Sequence, residues 1–432
     1  MYHPQARLSR IVTVALFLVP LLGFAQPPMA VLIGNVADAR SFQPIPGAAV
    51  LLIPGNISLT ATSDSTGHFR IAGIPVGHYA LRVAAIGYDT LEVPELWLRA
   101  GKQAEQRLEL SPAASELGAV TVSAMAREQP ERLGMRTFTV EQSLRWPATF
   151  FDPARLVSAM PGVTNANDQA NHLIIRGNSP NANAWTLEGV EIVSPNHTGN
   201  AGTASDLPTL SGGGVNLLSA QMLGPSQLLT GVFPMDRGNA LGGILDMHLR
   251  NGNMQQQEWT AQAGLLGIDI SAEGHLGKGG RSSYLANYRY STVGILGALG
   301  VDLGDEEINF QDLAFHVTLP VGKRGEAHLF GLGGNSSNLF KAIHDTTVWE
   351  VDKDSRNIDY SSKMGAAGGR VRIPIGEQTS ISAAVVISEN DQERTEDRLL
   401  SDYSVGYHTE ATLSERKLSG MVQLDGAVGA RL

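Results

Sequence analysis

The sequence predicts a mainly β protein: an N-terminal β-sandwich, a compact α/β segment, and the first part of an antiparallel transmembrane β-barrel. Three observations carry this. Charged residues make up 17% of the chain and hydrophobic ones 43%, whereas an ordinary soluble domain is roughly 25% charged. Glycine is abundant, 48 of 432 residues, and low charge with many glycines favours strands and turns over charge-laced helices. Beyond Asn253 the hydrophobic pattern settles into a period of two, the spacing at which a strand turns alternate side chains to opposite faces. Composition also excludes several classes. The hydrophobic content excludes disorder. A net charge of −10, from 32 Lys+Arg against 42 Asp+Glu, argues against a nucleic-acid partner, which needs a basic footprint. With no cysteine there is no disulfide, thiolate metal site or Cys nucleophile.

Residues 1–25 read as a signal peptide. Arg7 and Arg10 precede an apolar run from Ile11 to Leu22, and Gly23 and Ala25 supply the small residues that a signal peptidase accepts. The run is too short, and interrupted at Pro20, for a transmembrane helix of about 20 residues. No later stretch approaches that length, so any membrane crossing falls to strands.

Residues 29–112 read as a sandwich of about seven short strands. In HYALRV, Tyr79, Leu81 and Val83 fall on one face and His78, Ala80 and Arg82 on the other; Gly67 and Pro75-Val-Gly77 mark turns. The phrases GNVADARSFQPIPGAAV and TSDSTGHFRIAGIPVGHYALRVAAIGY resemble the carboxypeptidase regulatory-like domain, a prealbumin-like sandwich. Despite that family name no zinc-binding H-E-x-x-H pattern occurs, and the expected role is structural.

Residues 113–126 form a linker carrying the isolated apolar strand LGAVTVSA, 117–124. Residues 127–253 mix short strands with one marked helix. Asp152 is a suitable N-cap, Pro153 suits the first helical position, and Pro161-Gly162 stops it. The phrases DPARLVSAMPGV, IIRGNSPNANAWTLEGVEI and LLTGVFPMDRGNALGGILDMHLRNGN resemble the plug of TonB-dependent outer-membrane receptors, of the kind in Bacteroidetes-type bacteria that carries the same N-terminal sandwich. The chain departs from siderophore receptors at SAQMLGPSQ and in having Glu188 where Asp is usual, which leaves the ligand class open.

Residues 254–432 repeat the two-residue period. In SYLANYRY, Tyr284, Ala286, Tyr288 and Tyr290 share one face and Leu285, Asn287 and Arg289 the other, an apolar aromatic-tipped face opposite a polar one, as a membrane strand with lipid on one side and water on the other requires. Tyr284, Tyr288 and Tyr290 are expected outward, and position 289, on the polar face, is expected to accept leucine. The chain holds about eight such strands against ~22 in plugged transporters, so it is expected to be truncated within the barrel.

No nucleophile elbow, phosphate loop or dinucleotide fingerprint occurs in a strand–helix setting, and the 11 histidines are scattered. The expectation is transport: no enzyme, no catalytic residues, no cofactor and no metal. The resemblance implies a receptor in the outer membrane, with its N-terminal domain in the periplasm and outer-membrane lipid around the barrel. Its implied ligand is a scarce bulky nutrient (oligosaccharide, peptide or metal chelate), with ligand residues unassigned. It also implies that the periplasmic energising protein TonB adds a strand at Val120, Thr121 and Val122, the alternative being a plain linker strand. Arg176, Arg237 and Arg250 stand in plug phrases as candidate plug–barrel locks, the alternative being solvated surface arginines. The competing function is a surface binding or adhesion protein without transport.

Overall fold

The computed structural model describes residues 29–53, 59–100, 102–113 and 134–426, the last with short breaks, the longest at 198–206 and 296–305. The expected signal peptide and linker strand lie outside the described residues. The chain divides into two compact units, one holding the sandwich and the other the remainder.

Seven strands build the first unit: β1 Met29–Asp38, β2 Ala49–Ile53, β3 Leu59–Thr62, β4 His68–Pro75, β5 Gly77–Ala84, β6 Leu91–Leu98 and β7 Gln103–Leu110. They form two sheets, ordered β4-β1-β7 and β3-β2-β5-β6. The alternation in β5 is realised, with Tyr79, Leu81 and Val83 buried in a core shared with Leu32, Val50 and Leu108. The turn before β4 is organised by Asp64, whose carboxylate accepts from the Thr66 and His68 amides at 2.8 and 3.0 Å. Gly67 there has φ +78°, and a Cβ would stand 2.5 Å from the Val36 carbonyl, so only glycine fits.

The second unit begins with the plug-like body. Its strands are β8 Met135–Phe138, β9 Val163–Asn165, β10 Leu173–Ile175, β11 Ala184–Leu187, β12 Val190–Ile192, β13 Ser226–Thr230 and β14 Gly243–Met247, with helix α1 at Pro153–Ser158. Five strands form one sheet in the order β12-β11-β14-β13-β8, while β9 and β10 pair separately. The β11–β12 hairpin turns on Glu188 and Gly189, both at positive φ (54° and 83°). That backbone is the two-residue primed turn whose twist matches paired strands.

The rest is one antiparallel sheet of eight strands in chain order: β15 Glu258–Ala263, β16 Gly267–His275, β17 Ser283–Ser291, β18 Glu306–Val321, β19 Gly325–Phe340, β20 Arg356–Pro374, β21 Thr379–Leu399 and β22 Val405–Gly426. Among the described residues it does not close. Its two faces differ as the two-residue period predicts. On β17, Asn287 and Arg289 are buried beneath the plug-like body while Tyr288 is 42% exposed on the opposite face. On β21 that opposite face reads Ile381, Ala383, Val385, Ile387, then Glu389, Asp391 and Glu393. An apolar band followed by acid is what a strand shows when it leaves hydrocarbon for water. Membrane strands need only about 9–11 residues, and β21, at 21 residues, is about twice that length.

The core of this unit is continuous across the plug and the sheet. Leu187, Ile192, Leu217 and Met247 from the plug share one buried cluster with Leu285, Phe330, Leu332, Met364 and Val386 from the sheet. Barrel interiors are ordinarily polar; here the plug-covered wall carries an apolar seam.

Candidate functional site

The interface between plug and sheet is where buried polar chemistry concentrates. Its first centre starts from Asp152. One carboxylate oxygen caps α1 by accepting from Ala154 N at 2.8 Å. The other accepts from Asn216 N and from Asn171 Nδ2, each at 2.9 Å. That fixes the loop at Asn216, whose carbonyl receives Arg289 Nη2 at 2.5 Å. Arg289 is also paired through Nη2 with Asp312 Oδ2 at 2.7 Å, and the same oxygen meets His197 Nε2 at 2.9 Å. All three ionisable side chains are at most 7% exposed. Burial, the largest influence on His197, holds it below its ordinary value against the pull of Asp312. A neutral ring facing a carboxylate, which can only accept, must carry its proton on Nε2. Nearby Ser219 donates to Asp269, and Asn287 donates to the other oxygen of that carboxylate.

The second centre lies around the hairpin turn. Glu188 accepts from Leu249 N at 2.7 Å and from Arg370 Nη1 on β20 at 3.2 Å. His248 lies 3.4 Å from Asp246 and 4.0 Å from Glu188. For His248, burial opposes the charged form, but the hydrogen bonds and charges of Asp246 and Glu188 outweigh it and push it up to about 9. Burial likewise works against the Glu188 and Asp246 carboxylates, yet His248 and the neighbouring arginines hold both below the ordinary carboxylate range. The signs follow from these directions. Stabilisation from His248 is complete below its unfolded value near ~6.5 and is lost as pH rises through about 9. That from the two acids is present above about pH 4 and lost as pH falls. The urea midpoint for plug release, measured from pH 6 to 10, is expected to fall at the alkaline end, and His248→Gln to flatten that limb. An unchanged alkaline limb in the variant would remove His248 from this role.

The three candidate arginines separate. Arg250 reaches the sheet, with Nη1 and Nη2 on Glu273 of β16 at 2.7 and 2.9 Å and Nε on the Gln221 carbonyl at 2.6 Å. Arg237 bonds within the plug, to Asp246 at 2.7 Å and the Gly189 carbonyl at 2.9 Å. Arg176 also stays inside, donating to Thr230 Oγ1 at 3.2 Å from a backbone at φ +51°. The physical reason is placement. Arg176 sits in a turn that lies across Gly231, where a Cβ would meet its guanidinium, and Arg237 closes on the hairpin turn. Val120, Thr121 and Val122 lie outside the described residues. Sequence reasoning missed His197, Asn216, Asp312, Glu188 as an ion-pair partner, and the Glu191–Lys417 pair at 2.9 Å. Among the described residues no group of three His, Asp or Glu is arranged to hold a metal.

Residues 31–111 match the family model for the carboxypeptidase regulatory-like domain. No curated protein matches the chain. Among solved structures it is similar to the siderophore receptor PirA from Acinetobacter baumannii, at 15% identity and a TM-score of 0.43, covering 67% of this chain and 45% of that one. It is similar to BauA, the ferric preacinetobactin receptor from the same organism, at 12% identity and a TM-score of 0.46, covering 68% and 43%. It is also similar to the outer-membrane transporter YddB from Escherichia coli, at 12% identity and a TM-score of 0.37, covering 68% and 55%. The chain thus spans about half the length of these structures.

Proposed function

We propose that this chain is the N-terminal part of a TonB-dependent outer-membrane receptor, which admits a scarce bulky nutrient when its plug is displaced by force from the periplasm. The observation that carries this reading is the seating of a folded α/β body on one face of a sequential antiparallel sheet whose other face is apolar. An apolar outer face suits lipid. A body covering the inner face blocks any water path along it, so the path must be opened to be used. The outer membrane has no energy source of its own, and strand addition to Val120–Val122 by TonB gives a periplasmic protein a handle on the chain. The plug phrases and the regulatory-like sandwich fit the same reading. The nutrient class stays open among oligosaccharide, peptide and metal chelate.

A peptide of residues 113–126 is expected to bind the periplasmic domain of TonB in calorimetry. Thr121→Pro, which removes a ladder N–H, is expected to abolish that binding. In the full-length protein, deleting residues 117–124 is expected to stop energised uptake and leave surface binding of nutrient intact. Uptake at the wild-type rate in the deletion strain would reduce the segment to a linker.

A further inference from the structure

We infer, granted the outer-membrane reading above, that the outer face of the wall carries a resident phospholipid site: a hollow across β19–β22 seats an acyl chain, and the basic turn between β18 and β19 holds an anionic headgroup. Two rows of outward residues shape the hollow. Leu329, Gly369, Val385 and Gly420 stand side by side on the four strands, and Ala327, Val371, Ala383 and Val422 form the next row towards the turn. Leu329, Val385 and Val422 are each more than half exposed, so they project as walls, while the glycines leave the floor bare. The space between them is about 520 Å³. A Cβ on Gly420 would meet nothing closer than the Ala384 carbonyl at 3.4 Å, so local packing does not demand glycine there.

The dimensions choose the occupant. Adjacent rows on one face lie two residues apart, about 7 Å along a strand. That is too narrow for a helix of about 10–12 Å diameter and wide enough for a single file of methylenes. Ala383 and Val385 stand within the apolar run Ile381–Ile387 of β21, so the hollow opens into hydrocarbon. A void there forfeits the contacts its lining could make, and a flexible chain restores them. Charge chooses the headgroup. The connections at 322–324 and 375–378 are short, whereas that at 341–355, at the opposite end of the strands, is long; short turns face the periplasm. Three cations gather at the first turn: Lys323, Arg324, and Arg281, whose Nη1 donates to the Gly322 carbonyl at 3.1 Å. Glu326, next along the chain, turns to the inner face, where it lies 3.6 Å from His328. A phosphate at this turn therefore meets an excess of positive charge.

Full-length protein is inserted into phosphatidylcholine vesicles carrying spin-labelled phosphatidylglycerol, phosphatidylcholine or lipid A, and the immobilised fraction of each is read by electron paramagnetic resonance. The wild type is expected to prefer phosphatidylglycerol over phosphatidylcholine by about tenfold. Lys323→Gln is expected to lower that preference about fivefold, the effect of one cation near a membrane surface. Lys323 is exposed on its turn, so this variant tests the site without touching the wall. Gly420→Leu, which fills the hollow, is expected to release one immobilised lipid per chain and to keep the heat-modifiable gel mobility of a folded barrel. Equal retention of the two phospholipids by the wild type would overturn the headgroup site, and unchanged immobilisation in Gly420→Leu would overturn the hollow. Preference for lipid A would place the occupant in the other leaflet and overturn the assignment as well. A full-length chain that does not insert at all would overturn the outer-membrane reading itself, which the other outcomes leave standing.

Discussion

Replacing Arg289 by leucine is expected to cost the folded protein about 3–5 kcal/mol, the penalty of stranding one partner of a buried ion pair. The guanidinium holds the Asp312 carboxylate and the Asn216 carbonyl together, and both side chains of the pair are nearly inaccessible. Without it Asp312 keeps the neutral His197 ring as a hydrogen-bond donor but has no cation beside it in this centre, and the loop carrying Asn216 loses its bond from Arg289. The double variant Arg289→Leu/Asp312→Leu removes both charges and is expected to recover most of the loss, because a desolvated pair replaced by apolar groups is often neutral. Urea-induced unfolding of the four members of this cycle measures the coupling. If Arg289→Leu alone unfolded at the wild-type midpoint, the pair would be an ornament of the interface. Position 289 is therefore expected to accept leucine only at a cost in stability, which its place on the polar face alone does not reveal. The face is right, but that face is covered by the plug and not by water.

That difference marks what the sequence could and could not reveal. Alternation over SYLANYRY places Asn287 and Arg289 on the plug side and Tyr288 opposite, since a one-residue slip would reverse every side chain. The cap at Asp152 and the buried row Tyr79, Leu81, Val83 are likewise local, and local patterns are legible in order. The polar centre is not local. His197 and Asp312 are 115 residues apart, and Arg370 meets Glu188 across 182. Periodicity says which face a residue takes but not which loop lands on it. Of the candidate arginines, Arg250 was within reach because it closes the plug next to the first sheet strands. Arg176 carried a signal of another kind: Arg-Gly at 176–177 is a pair at positive φ, a tight turn from which the Arg176 side chain folds back on its own body. Of the apolar wall positions only Leu285 stood in the sequence on the face of Asn287 and Arg289, and one leucine there does not reveal a seam when the interior of a barrel is expected to be polar.

Phe330→Ala is expected to destabilise the plug–wall seam by about 3–5 kcal/mol, the cost of deleting a buried aromatic ring. Phe330 is 1% exposed and belongs to the cluster that joins Leu285 and Val386 to the plug. Its cross-strand neighbour is Gly368, and a Cβ there would stand 3.1 Å from the ring and 2.5 Å from the Val385 carbonyl. The glycine thus leaves the space that the ring fills, and the wall cannot collapse to heal the cavity without moving β20 against β21. The adjacent Leu329 supplies the control. It belongs to the same strand, is 51% exposed on the opposite face, and Leu329→Ala is expected to change stability by less than about 0.5 kcal/mol, as for other changes away from packed sites. Comparing the two variants by urea unfolding separates the seam from the strand. Equal losses would mean that β19 is held by its ladder alone. A large loss confined to Phe330 would mean that the plug is held to this wall by hydrophobic burial as much as by charge. High salt should then loosen the exposed ion pairs, such as Arg416–Glu389 at 2.6 Å on the outer face, while leaving the plug seated on the wall.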